Sequence, residues 1–130
     1  MALLRWEEFL SVGVEIIDED HRLAVDLLNQ LDEADDAAFP ALFAAFLEHL
    51  AEHFGHEEAL MDKYRFFAAG VHRAEHVRVL REAQGVMRRL ERGQMEMARN
   101  YLRQTIAPWF LHHRGAMDVA TADFIKQGRG

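Results

Sequence analysis

The chain predicts an all-α fold: an antiparallel up-down-up-down four-helix bundle with an extended N-terminal arm. Three observations carry that expectation. Only two prolines interrupt 130 residues. β-Branched residues are sparse, and apolar positions recur at the 3.6-residue spacing of a helix face through most of the sequence. Four such stretches of about 20 residues, each about 30 Å long, are joined by short connections, which favours antiparallel neighbours.

Element by element, Ser11, Val12, Gly13 and Val14 read as the end of an arm covering 1–18. Asp18 is placed to cap a first helix over 19–37, with Leu23, Leu27, Leu28 and Leu31 on its inner stripe. Pro40 suits the first turn of a second helix, which continues to about Tyr64 through Leu42, Phe43, Phe46, Leu47, Leu50, Phe54, Leu60 and Met61. Gly70 breaks the pattern before a third helix over 71–92, whose inner face is Val79, Ala83, Val86 and Leu90. Gly93 ends it. A fourth begins near Gln94 and reaches at least His113. Pro108 removes the N–H that would bond to Gln104 and is expected to kink that helix. The bundle thus covers 19–124 of a single domain, and 125–130 reads as a frayed tail.

Composition narrows the functional classes. Half the residues are hydrophobic and 28% are charged, as in a globular domain with a packed core. No apolar run approaches the roughly 20 residues that cross a bilayer, and Trp6, Glu7 and Glu8 stand where a signal peptide needs a basic start. Neither membrane insertion nor secretion is expected, and the reading is cytoplasmic. The net charge of −7 argues against general nucleic-acid binding, which rests on neutralising phosphates. Residues 1–40 carry 11 acidic and two basic side chains, so an acidic first segment should pack beside a basic later one. With no cysteine, any metal must be held by nitrogen and oxygen.

The eight histidines supply the chemistry. Positions i and i+4 lie only about 40° apart on a helix face. His53 and Glu57 form one such pair and His72 and His76 another, each on the apolar stripe of its helix. Polar groups aimed into a core are costly unless something satisfies them. His21 joins from the first helix and His113, beside Trp109 and Phe110, from the fourth, so every helix offers an imidazole to the interior. A metal would satisfy them all, and iron, manganese and zinc all suit imidazole and carboxylate ligands. Five histidines and two carboxylates exceed one coordination sphere, which favours two ions. Asp118 follows His113 by five residues, about 140° around an ideal helix. Either the backbone loosens near Gly115 into a π-like turn, or Asp118 is a solvent-facing charge. His49, His56 and His112 sit off the inner direction and read as surface or outer-shell groups. Met87, Met95 and Met97, like Phe39, Phe43 and Phe46, read as core.

These stretches resemble the hemerythrin family, and within it the single-domain bacterial members. Trp6 with Val12, Gly13 and Val14; Ile17, Asp18, Glu19, Asp20 and His21; His53, Phe54, Gly55, His56, Glu57 and Glu58 before Leu60 and Met61; His72 with His76; and Trp109 to His113 with Asp118 all match, so the likeness covers nearly the whole chain. The resemblance implies two non-haem iron ions joined by an oxo or hydroxo bridge, with O2 as the ligand. It implies that His72, His76 and His113 hold one iron, that His21 and His53 hold the other, and that Glu57 and Asp118 bridge. It also implies an open position for O2 on the two-histidine ion. Dryness decides whether oxygen is carried or wasted there, and Trp109 and Phe110, with Leu50 and Ile106 behind them, are the expected walls. Three positions depart from the usual family pattern: Phe110 stands where Leu is common, Arg114 where an aliphatic residue is common, and Pro108 interrupts the last helix.

Three functions compete. Reversible O2 binding for carriage, delivery or storage leads, because the chain holds no fused signalling domain. An O2 or redox sensor is the second. The third, a di-iron oxidase, peroxidase or iron-handling enzyme, would present Glu-x-x-His pairs on two helices. None occurs, so the protein reads as a non-enzyme. The protein that receives the O2 is not legible in the sequence, and a monomer is favoured.

Overall fold

A computed structural model of the chain describes residues 4, 5, 11–113 and 117–128. Trp6, Arg114 and Gly115, each singled out above, lie outside the described residues. Helices α1 (Glu15–Glu33), α2 (Phe39–Tyr64) and α3 (Ala69–Glu91) form three rods of the bundle. The fourth is composite: α4 (Met95–Tyr101), a π turn (Leu102–Ile106) and α5 (Ala107–His113). A further helix, α6 (Val119–Gly128), follows. Consecutive rods pack side by side, and the π turn returns against α1 to close the ring. The fold is therefore the expected four-helix bundle, and α6 is an addition that lies against α2.

Several ends differ from the sequence expectation, each for a physical reason. α1 starts four residues earlier, at Glu15, because Asp18 does not cap it. The Asp18 carboxylate instead accepts the Val12 and Gly13 N–H groups (2.7 and 3.2 Å) and the Ser11 hydroxyl (2.8 Å). It thereby clamps the arm back over the first turn, helped by Gly13 at φ 81°. α1 also stops at Glu33 instead of running to residue 37. Its buried residues are Ile17, Asp20, His21, Ala24, Val25, Leu28 and Leu31. Leu23, two residues and therefore about 200° from His21, is 46% exposed. Gly70 lies inside the first turn of α3 and does not precede it. Pro40 and Gly93 act as expected, at the start of α2 and, with φ 89°, just past the end of α3.

Pro108 meets the fourth rod differently from a simple kink. The Ala107 N–H bonds to the Leu102 carbonyl, five residues back, and this wide turn restarts the helix so that Pro108 falls in the first turn of α5. The tail is ordered as helix to Gly128, with Ile125 wholly buried among Val12, Val14, Ile17 and Ala122. The larger core, built around Leu28, Phe39, Phe43, Phe46, Leu90 and Leu102, fills the other end of the bundle. The charge asymmetry becomes cross-bundle pairing. Arg99 reaches Asp36 (2.9 Å) and the Ala34 carbonyl (2.8 Å), and Arg103 reaches Asp32 (2.7 Å). Such exposed pairs contribute at most about 1 kcal/mol each.

The arm clamp yields a first prediction. Asp18→Ala removes the acceptor of two backbone amides and a hydroxyl, which water replaces at exposed Ser11 and Gly13, and should cost about 0.5–1.5 kcal/mol. Equilibrium denaturation would show this as a lower midpoint at unchanged slope. An unchanged midpoint would mean that the arm contributes nothing to stability.

Candidate metal centre

Seven titratable side chains meet between the two apolar cores, and none is more than 3% exposed. α1 brings His21, α2 brings His53 and Glu57, α3 brings His72 and His76, and α5 brings His113. Asp118 comes from a π-helical step at Met117 and Asp118 just before α6. That widened step is how a residue five positions after His113 turns to the same centre, so the solvent-facing alternative for Asp118 does not hold.

The donor atoms form two groups, each within a 4.8 Å span. One is Glu57, His72, His76, His113 and Asp118; the other is His21, His53, Glu57 and Asp118. Both carboxylates belong to both groups. The His21 Nε2 lies 2.8 Å from Asp118 Oδ2, and the His53 Nε2 lies 2.9 Å from Glu57 Oε1. The Nε2 atoms of His72 and His113 face each other at 3.0 Å, and each is 3.0 Å from Asp118 Oδ1. The His76 Nε2 stands 3.6 Å from Glu57 Oε1.

Hydrogen bonding does not satisfy this arrangement. Both oxygens of Glu57, the Oδ1 of Asp118 and the Nε2 of His76 are buried without a hydrogen-bond partner. Orphaned groups of this kind cost about 1–3 kcal/mol each, more where a charge is involved. Converging ring nitrogens beside unpartnered carboxylate oxygens are what a cation would satisfy, so the residues present fit a metal.

Outer partners aim three of the rings. The Nδ1–H of His53 donates to Asp20 Oδ2 (3.1 Å), that of His76 to Glu58 Oε2 (3.1 Å), and that of His72 to Thr121 Oγ1 (2.8 Å). Each contact holds its ring with the Nε2 turned to the centre. Glu58 is held in turn by Arg73 (3.2 Å). Asp20 also accepts from His56 (2.7 Å), while its main-chain carbonyl accepts from His49 (2.9 Å). His49 and His56 thus have the outer-shell position that the sequence left open.

Electrostatics follow from this crowding. Burial, together with His72 and His113, pushes His76 down to about 2. Burial also pulls on His53, but Glu57 and Asp20 outweigh it and raise the ring to about 10. Glu57 is driven well above the usual carboxylate range by burial and by Asp118, against the opposing pull of His53. Burial would raise Asp118 too. The imidazoles of His113, His21 and His72 crowded against it override that and hold it well below its ordinary value.

Aromatic rings wall the centre. Phe110 stands edge-on to His21 with centroids 5.3 Å apart, Phe54 lies flat on His76 at 3.9 Å, and Trp109 stacks on His113 at 4.5 Å. Leu50 and Ile106 are buried in the same apolar cluster as Phe110. Of the four expected wall residues only Trp109 is partly exposed, and its Nε1–H points to Glu75 (3.4 Å). Phe54, read from sequence as core alone, is a wall as well.

A helical bundle carrying buried imidazoles on every rod, with two carboxylates common to two donor groups, is a metal-binding bundle. The chain belongs to the hemerythrin family: the profile of the hemerythrin HHE cation-binding domain matches residues 12–118. Among relatives, it is 32% identical over 127 residues to a bacteriohemerythrin of Ralstonia nicotianae, covering 98% of this chain and 92% of that protein. It is 31% identical over 126 residues to a bacteriohemerythrin of Aquifex aeolicus, covering 92% and 95% respectively. Solved structures of hemerythrin carrying single leucine substitutions superpose with a TM-score of 0.85 at 20% identity, covering 96% of this chain and 98% of theirs. No helix among the described residues is long and apolar enough to cross a membrane.

Proposed function

We propose that the centre holds two non-haem iron ions and binds O2 reversibly, for carriage, delivery or storage, without catalysing a reaction. The supporting observation is the sharing of Glu57 and Asp118 between two buried donor groups, one with three imidazoles and the other with two. In this reading His72, His76 and His113 would hold one ion and His21 and His53 the other, with Glu57 and Asp118 available to both. The group with two imidazoles offers fewer donors and would leave room for a small ligand. A ferrous pair held by these residues would supply the two electrons that reversible O2 binding takes and returns.

The rest of the function belongs to the protein. Asp20, Glu58 and Thr121 keep His53, His76 and His72 turned inward, so the ligand set does not rearrange between loaded and unloaded states. Phe110, against His21, keeps water and its protons from the side where the open position would lie. Leu50 and Ile106 thicken that wall. Imidazole-rich ligation, with only two carboxylates, favours binding O2 over activating it.

The test is optical. Protein loaded with ferrous iron without air should change its visible absorption when O2 is admitted and return when O2 is removed, over repeated cycles. Irreversible oxidation with release of peroxide in the first cycle would overturn the reading and favour an oxidase.

A further inference from the structure

The α2–α3 turn and the start of α6 leave an apolar surface uncovered. Phe67 is 86% exposed, more than any other large hydrophobic among the described residues, and Val71, four residues on, is 64% exposed. Phe67 is nonetheless held in place. Its ring stands against Phe66 (centroids 5.1 Å) and Phe124 (6.1 Å), and those two rings meet each other at 5.1 Å. Three rings in contact make the outermost one a fixed knob, so a partner has little rotamer freedom left to remove. Beside it lies an open depression of about 90 Å³, lined by Phe66, Ala68, Val71, His72, Met117 and Ala120. A closed apolar site for benzene takes about 150 Å³. The depression is therefore sized for the leading half of a phenyl ring that enters from outside.

The chain thus carries both halves of one contact, and a two-fold axis between them brings each knob to the depression of the other copy. Such a pairing lays the α2–α3 corner of one copy over α6 of the other. Charge agrees with it. Arg65, exposed at that corner with φ 54°, has no ion pair among the described residues. Asp123, exposed on α6 one residue before Phe124, pairs with Lys126 of its own helix at 3.3 Å. The two-fold arrangement sets Arg65 of each copy toward Asp123 of the other. An anionic lipid surface is the poorer match, because Asp62 and Asp123 stand at the rim and the chain carries a net charge of −7. Area sets the strength. Phe67 leaves roughly 150 Å² in water, and with Val71, Ala120 and the exposed parts of Met117 and Phe124 the patch reaches roughly 300–400 Å². A stable dimer buries about 800 Å² per partner. We propose that the Phe67 knob and the depression beside it form a weak two-fold interface between copies of this chain, with a dissociation constant on the order of 100 µM. The interface does not depend on what the metal centre binds.

Sedimentation of the metal-loaded protein from about 5 µM to about 1 mM should show the average mass climbing from one chain toward two. Phe67→Ser removes the knob and Ala120→Glu blocks the depression. Both positions are exposed, so melting temperature and metal content should hold while each variant weakens pairing at least about tenfold. An equimolar mixture of the two should regain part of the association, because the intact knob of one fits the intact depression of the other. Arg65→Glu should weaken pairing alone and recover it when combined with Asp123→Arg. A single chain at the highest concentration, growth beyond two copies, or pairing that survives Phe67→Ser would each overturn the proposal. Phe67-dependent binding to phosphatidylserine vesicles by a protein that never pairs would overturn it in favour of a membrane surface.

Discussion

His76→Ala should lose metal and stability together. His76 is one of three imidazoles in the first donor group and is 1% exposed, so its removal takes away a ligand that no solvent-facing group can replace. It also breaks a packed column, since Phe54 lies flat on the ring at 3.9 Å and loses its partner. Glu58 loses the N–H it accepts at 3.1 Å. A large-to-small change at a buried site, with a carboxylate left short of a donor, costs about 2–5 kcal/mol. Lost metal linkage adds to that. Metal content should fall from two ions per chain to one or none, and the melting temperature by about 10 °C or more. His112→Ala is the control, because His112 is exposed and lies outside both donor groups. Full metal content in His76→Ala, measured by elemental analysis after gel filtration, would remove His76 from the ligand set.

Helical periodicity made most of this centre legible. His53 with Glu57 and His72 with His76 are i,i+4 pairs on stripes that also carry Leu50, Val79 and Ala83, so their direction follows from one helix at a time. What required a second element was not legible. Asp20 and Glu58 each adjoin a donor, at His21 and Glu57, and one residue's step of about 100° turns them off the apolar stripe. They find His53 and His76 only across helix interfaces, 33 and 18 residues away. Thr121 meets His72 at a separation of 49 residues. The tail failed for the same reason, since Ile125 looks terminal and unsupported until Val12, Val14 and Ile17 are folded against it. Asp18 is instructive in the other direction. An acidic residue ahead of an apolar run satisfies the local rule for a cap, but the arm offered its carboxylate free amides closer to hand.

Metal uptake near neutral pH should expel protons, with His53 as the main source. Raised to about 10, the His53 ring carries an extra proton at pH 7 in the cation-free chain, and ligation requires its Nε2 lone pair. His76, pushed down to about 2, and Asp118, held well below its ordinary value, have no proton to give. About one proton should therefore leave per filled centre, and affinity should rise about tenfold per pH unit. Calorimetry in two buffers of different ionisation heat counts the protons released. The same groups set the stability of the cation-free chain. A His53 value raised above the unfolded 6.5 contributes stability that is complete below pH 6.5 and fades as pH climbs through about 10. His76 works at the acid end, where a depressed value makes stability fall as pH drops below 6.5 toward about 2. The loaded protein has already given up the His53 proton, so its advantage in melting temperature over the cation-free chain should widen between neutral and alkaline pH. Affinity that is flat from pH 6 to 8, with no proton released, would mean that His53 enters the centre already neutral and that Glu57 and Asp20 do not hold it charged.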